Sequence, residues 1–257
     1  MTYDTDEKLE QFRINGFVVF EDLIAPDKID RILEAWVPIR DAGILQQGVN
    51  PVRGRGRYNV PVPYEPPFLD EDIFEQPALV SFLEQILGHD YVWFKFDSNI
   101  PLPGTDYQKW HRDISRTLYP QITTPTYQVG VKFPLCGTCE ENGSFEAMPC
   151  TQYIGSEVLS DDLNELFGNG ANINRPYHSR RINLKKGSLW IHDNRVIHRG
   201  TPNRSDKPRD ELCMAMSSSW VFSPWQHENI QPHFSRSLWE SLSEHAQQVL
   251  SRQRIAD

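Results

Sequence analysis

Between Tyr91 and Phe222 the chain reads as a series of short β-segments, and this pattern limits it to a mainly β core. The predicted strands are Tyr91–Ser98, Tyr107–Asp113, Thr126–Leu135, Ser144–Pro149, Arg181–Leu184, Ser188–Asp193 and Leu212–Phe222. Clusters of Gly, Pro, Asn and Asp punctuate them. Ahead of this region, from Asp6 to Trp36, the pattern is helical, then strand, then helical. Asn15-Gly16 is a turn signal, and Phe17-Val18-Val19-Phe20 is a short β run. Pro26 then opens a helix carrying Ile29, Ile32, Leu33 and Trp36 at helical spacing. A further helix is predicted over Pro77–Leu87, ending at Gly88. The tail from Ser235 to Arg254 reads as an amphipathic helix, with Leu238, Trp239, Leu242, Ala246, Val249 and Leu250 on its apolar side. Short strands flanked by helices predict a β-sandwich or jelly roll with helical buttresses. A chain of 257 residues suits one such domain, residues 1–257.

Two stretches stand outside this pattern. Residues 41–70 are rich in Gly and Pro and contain the run Arg53-Gly-Arg-Gly-Arg57. They are predicted as a long loop, and such loops in compact domains are usually functional lids. Residues 156–180 read as an insertion with little regular structure beyond a short helix.

Composition narrows the function. Hydrophobic residues at 39% and aromatics at 11% are globular values. A formal charge of −9 argues against general nucleic-acid binding, which needs basic surface. No run approaches the about 18 apolar residues of a membrane-spanning helix, and no secretory leader is visible. The expected setting is cytoplasmic, with Cys136, Cys139, Cys150 and Cys213 as thiols. Cys136-Gly-Thr-Cys139 lacks the further ligand pairs of a zinc ribbon and reads as a loop with two incidental thiols.

Of the histidines, only His111 has a carboxylate two residues ahead, in Trp110-His111-Arg112-Asp113. On a strand, residues two apart share a face, so His111 and Asp113 would aim an imidazole and a carboxylate into one space. His198, in Arg195-Val-Ile-His198-Arg-Gly-Thr-Pro-Asn203, is the best third ligand. Two histidines and one carboxylate on one side of a metal leave the other side open, which suits iron(II) chemistry. Arg209 follows in Pro202-Asn-Arg-Ser-Asp-Lys-Pro-Arg209, and its guanidinium can pair bidentately with a carboxylate.

At this point the chain resembles the phytanoyl-CoA dioxygenase family of iron(II)/2-oxoglutarate oxygenases. Four segments carry the resemblance: Asn15-Gly-Phe-Val-Val-Phe-Glu-Asp-Leu-Ile-Ala-Pro26; Trp110-His-Arg-Asp113; Glu141-Asn-Gly-Ser-Phe-Glu-Ala-Met-Pro149; and Gly187-Ser-Leu-Trp-Ile-His-Asp-Asn-Arg-Val-Ile-His198 continued to Arg209. The resemblance implies a double-stranded β-helix, a cupin-like jelly roll. It implies His111, Asp113 and His198 as Fe(II) ligands and Arg209 as the anchor for the distal carboxylate of 2-oxoglutarate. It also implies O2 as a cosubstrate, with oxidative decarboxylation of 2-oxoglutarate to succinate and CO2 coupled to attack on a C–H bond of a small-molecule substrate. Related iron halogenases replace the carboxylate ligand with a small residue, so Asp113 favours hydroxylation or another oxidative outcome. Asn99 and Gln108 are further cosubstrate-binding candidates, and Arg53 and Arg57 are candidates for an anionic substrate.

Two positions depart from the family's usual pattern. Pro149-Cys-Thr-Gln-Tyr153 stands where Pro-Gly-Ser-His is common, and Gly200 stands where a small hydroxyl residue is frequent. His192 competes with His198 as the distal ligand but reads better as a supporting residue. Trp110 is expected in the core. Two rival readings use the same residues: a non-catalytic jelly-roll binding protein, and a zinc-dependent hydrolase or isomerase.

Overall fold

The computed structural model describes residues 4–48, 54–114, 124–154, 178–221 and 232–256. Eleven strands and six α-helices are described. Helix α1 (Thr5–Asn15) starts at Asp4, whose carboxylate accepts from the amides of Asp6 and Glu7. It ends at Gly16, whose φ of 79° is a left-handed cap that glycine adopts without strain. Strand β1 (Phe17–Phe20) follows directly. Helix α2 (Pro26–Gln46) has Pro26 in its first turn and buries Ile29, Ile32 and Trp36. Then come β2 (Arg57–Tyr58), α3 (Glu71–Phe74) and α4 (Pro77–Leu87), the last as its pattern predicts. The remaining strands are β3 (Val92–Pro101), β4 (Gln128–Pro134), β5 (Phe145–Ala147), β6 (Arg180–Ile182), β7 (Leu189–Asp193), β8 (His198–Gly200), β9 (Glu211–Ser217), β10 (Pro232–Ser235) and β11 (Arg254–Ala256). Helices α5 (Arg236–Ser241) and α6 (Glu244–Val249) lie between the last two.

Nine of the strands form two facing antiparallel sheets, and β10 and β11 make a separate parallel pair. The larger has the order β1-β7-β4-β9-β3-β2 and the smaller β6-β5-β8. This is the mainly β jelly roll with flanking helices that the strand pattern predicts. The two faces of the large sheet differ in chemistry. Val129, Val131 and Phe133 of β4 and Leu212, Met214 and Met216 of β9 point toward the helices and join α1, α2 and α4 in the main core. Each such large side chain contributes about 1.5–3 kcal/mol by burial. The other face carries Gly130 and Lys132 of β4, paired with His192 and Trp190 of β7, and Glu211 and Cys213 of β9. Among the described residues, a small apolar cluster including Phe145, Ala147, Ile182, Trp190 and Val196 joins the two sheets. The space between the sheets is therefore largely polar, and it is where a site can be built.

Three predicted elements are corrected. Tyr107–Asp113 is not a strand, since among its residues only His111 forms a bridge, to His198. Gln108 bonds to Gly200, and His111 to His198, so this segment spends one residue more than β8 over the same length. The tail is not one helix. Ser235 and Ser243 each accept a hydrogen bond from the amide three residues on, which starts two separate helices. The loop over 41–70 is also narrower than expected. Residues 41–46 continue α2, and Val60, Val62, Tyr64, Phe68 and Leu69 are buried in the core. Arg53 and most of the 156–180 insertion lie outside the described residues. Among the described residues, no helix is long and apolar enough to cross a membrane.

Candidate metal centre

His198 lies on β8, where Ala147 of β5 is its partner on one side and His111 on the other. The His111–His198 bridge consists of two backbone hydrogen bonds of 3.0 Å. Beyond it the chain turns, and the amides of Asp113 and Ile114 both donate to the carbonyl of Asn194. This turn, rather than a regular strand, brings the carboxylate back toward the imidazoles. His111, Asp113 and His198 each offer a ligand atom, and these atoms lie within 4.8 Å of one another.

The rings are oriented by their own backbone. Nδ1 of His111 lies 2.8 Å from the Lys109 carbonyl, and Nδ1 of His198 lies 2.9 Å from that of Val196. A carbonyl can only accept, so both Nδ1 atoms carry the proton and both Nε2 lone pairs are free for a metal. Those Nε2 atoms are 3.9 Å and 3.6 Å from Asp113 Oδ1. The other carboxylate oxygen, Oδ2, lies 3.1 Å from Nε2 of His192. His192 is buried, stacks on Trp190 at 4.5 Å between centroids, and fits only because residue 130 is glycine. A β-carbon at Gly130 would come within 2.4 Å of His192 Cε1.

Electrostatics favour the metal-binding forms. Burial opposes ionisation of Asp113, but neighbouring His198, the hydrogen bond from His192 and the charge of Lys132 hold its carboxyl well below the usual range. Burial pushes His198 well below the ordinary imidazole range, which favours the neutral form that a metal binds. The His198 side chain is 1% exposed, whereas those of His111 and Asp113 are 30% and 38% exposed. The centre thus opens on the His111–Asp113 side.

Arg209 precedes β9 and is buried, its guanidinium carbon 5.0 Å from the centre of the Phe145 ring. The same ring is 6.1 Å from that of His198, so Phe145 adjoins both the arginine and the metal centre. Arg209 Nη1 is 3.3 Å from Glu211 Oε1, yet neither Nε nor Nη1 has a hydrogen-bond partner among the described residues. A buried guanidinium with spare donors beside a His₂-carboxylate set is what a chelating dicarboxylate requires. The residues present therefore fit iron(II) with 2-oxoglutarate.

The other sequence candidates have definite places. Asn99, on β3 opposite Glu211, donates to Cys213 Sγ at 3.2 Å and lines the polar face of the large sheet. Gln108 is occupied locally. Its Oε1 accepts from the Gly200 amide at 2.9 Å, and a β-carbon at Gly200 would come within 2.5 Å of that oxygen. This contact gives a physical reason for glycine where the family often has a hydroxyl residue. Arg57 does not close over the site from a loop. It is buried on β2, with Nη2 donating to the Asp106 and Thr201 carbonyls at 2.5 Å and 2.7 Å. Trp110 is fully buried, as expected, and together with Tyr107 it contacts Arg199. The guanidinium carbon of Arg199 lies 4.2 Å from each ring centre, and its Nε donates to Glu146.

Sequence reasoning passed over Lys132 and Glu211. The available signal was alternation. In Val129-Gly-Val-Lys132-Phe133 one face of the strand is apolar and the other is not, and Glu211 falls two residues after Arg209.

The family model for phytanoyl-CoA dioxygenase (PhyH) matches residues 12–210. The chain belongs to the phytanoyl-CoA dioxygenase family. Its members are iron- and 2-oxoglutarate-dependent oxygenases, and those are the cofactor and cosubstrate of this chain. Solved structures agree in fold. AviO1 from Streptomyces viridochromogenes superposes with a TM-score of 0.63 at 19% identity, over 87% of this chain and 99% of that one. EvdMO1 gives a TM-score of 0.63 at 18% identity over 84% of this chain, which spans 50% of its length. SnoN, described as a non-haem α-ketoglutarate-dependent epimerase of nogalamycin biosynthesis, gives 0.58 at 14% identity, over 84% of this chain and 83% of that chain.

Proposed function

We propose that this protein oxidises a C–H bond of a small-molecule metabolite, most simply by hydroxylation, with release of succinate and CO2. In this reading His111, Asp113 and His198 hold iron(II), and Arg209 binds the distal carboxylate of 2-oxoglutarate. One observation carries it: a His-Asp-His set with both Nε2 atoms freed for a metal, sharing the Phe145 ring as a neighbour with a buried guanidinium that has spare donors. When bound, iron and 2-oxoglutarate together supply the oxidant drawn from O2. The protein's own residues do the rest. Val196 and Lys109 carbonyls orient the imidazoles, His192 holds the far oxygen of Asp113, and Phe145 and Trp190 keep water from the buried side. Substrate approaches from the exposed side, where His111 and Asp113 stand.

Asp113 supports an oxygenase over a halogenase, because a carboxylate already fills the position a halide would take. Structural neighbours named as an epimerase and as the carbocyclase SnoK, the latter with a TM-score of 0.59 at 12% identity over 83% of each chain, make stereochemical inversion and ring closure the alternative outcomes of the same C–H attack. A zinc hydrolase or a non-catalytic binding protein would have no use for the spare donors of Arg209. The test is anaerobic addition of iron(II) and 2-oxoglutarate to the metal-free protein. The expected result is a weak visible charge-transfer band, abolished in His111→Ala and weakened in Arg209→Ala. No band at saturating iron and cosubstrate would overturn the reading. Succinate release would then screen substrates and separate an oxygenase from both alternatives.

A further inference from the structure

Lys132 lies in the middle of the large sheet, on the face turned toward the small one, and is 5% exposed. Among the described residues its ammonium makes no hydrogen bond and no ion pair. It rests on two aromatic faces, 4.1 Å from the centre of the Phe145 ring and 4.9 Å from that of Trp190. Those rings soften the cost of burying the charge, but a buried ammonium ordinarily needs a carboxylate. Phe145 is also the ring beside Arg209, so two cations flank one side chain. The sheet register then supplies one anion. Lys132 is opposite Cys213, and Glu211 is two residues along the same face, with Oε1 at 3.3 Å from Arg209. Lys132 also acts on the Asp113 carboxylate, but that group belongs to the metal set; with Asp113 assigned to the metal, two buried cations face one buried carboxylate, and one positive charge is unbalanced.

We propose that Lys132 is a second binding residue for the distal carboxylate of 2-oxoglutarate, which Lys132 and Arg209 hold jointly, with Glu211 as the fourth charge of a neutral cluster. This rests on the role given to Arg209 under Proposed function and extends it. The keto-acid end of the cosubstrate binds at the metal. The distal carboxylate brings the one negative charge that Lys132, Arg209 and Glu211 lack. The site then discriminates strongly for 2-oxo dicarboxylic acids. A 2-oxo monocarboxylic acid binds the metal in the same way but leaves the buried positive charge unbalanced.

The experiment is an anaerobic titration of the iron(II)-loaded protein, followed through the visible charge-transfer band, with 2-oxoglutarate and separately with 2-oxobutyrate. Lys132→Met should raise the Kd for 2-oxoglutarate by about ten- to a hundredfold, the range expected for one charged hydrogen bond. It should leave the Kd for 2-oxobutyrate within about twofold. Lys132→Gln, which keeps a polar end, gives the same comparison if the methionine variant does not fold. Arg209→Gln is the control. A band in the wild type that Arg209→Gln weakens and Lys132→Met leaves unchanged overturns this inference alone. Equal weakening of both acids also overturns it, since that marks Lys132 as purely structural. Absence of any band in the wild type overturns it together with the metal-site reading.

Discussion

His192 Nε2 lies 3.1 Å from Asp113 Oδ2, the carboxylate oxygen opposite the one that faces His111 and His198. The contact fixes the rotation of the carboxylate, so that Oδ1 is presented to a metal without further adjustment. Partners of this kind typically change metal affinity by about 10–100-fold when removed. His192→Phe keeps the stack on Trp190 and loses the contact to Asp113. It should weaken cobalt(II) or iron(II) binding by about that factor in a direct metal titration. Unchanged affinity would show that Asp113 is held by its backbone alone.

Gly130→Ala tests the same relationship from the other side. Its β-carbon would come within 2.4 Å of His192 Cε1, and His192 is packed against Trp190 with no room to retreat. Overpacking of this kind costs about 1–3 kcal/mol. The variant should show a lower denaturant midpoint at unchanged slope, and weaker metal binding. Wild-type values for both would mean that the ring can shift without cost.

The segment that delivers His111 is held from outside the site by Arg199, between Tyr107 and Trp110. Arg199 also donates to Glu146 on β5. Arg199→Met keeps much of the bulk but leaves Glu146, 13% exposed in its side chain, without that partner. Loss of one member of a buried ion pair costs about 3–5 kcal/mol. A lower denaturant midpoint and faster hydrogen exchange at the amides of residues 107–113 are expected. Lysine should restore little, because it lacks the planar face that stacks on both rings.

Cysteine reactivity provides a separate check on the packing of the polar face. Burial first, and then the charge of Glu211, push the Cys213 thiol up to about 12. Only the thiolate reacts, so near pH 8 about one molecule in ten thousand is competent at that position. Cys139 and Cys150 are exposed and free. Iodoacetamide at pH 8 should label those two in the folded protein and Cys213 only after unfolding, as read by peptide mass spectrometry. Early labelling of Cys213 would mean that the face around Asn99 and Glu211 is open to solvent.

Much of this protein is legible in its sequence because the information there is local. Alternation and turn residues mark most of the strands, Pro26 and Pro77 open their helices, and Gly88 closes one. The His-x-Asp pair and the distal histidine could be named because a metal site restricts residue type so tightly. Tertiary structure decided what depends on contacts between distant segments. Tyr107–Asp113 has strand-like composition, but its pairing with β8 is irregular, and a turn onto Asn194 is what aims Asp113. Arg57 reads as a loop cation and is instead a buried clamp on two carbonyls, because β2 pairs with the end of β3. Lys132 reads as one more strand lysine. Only the facing of the two sheets places it on Phe145 beside Arg209, since the charge a buried ammonium meets is set by the strand across from it and not by its neighbours in the chain.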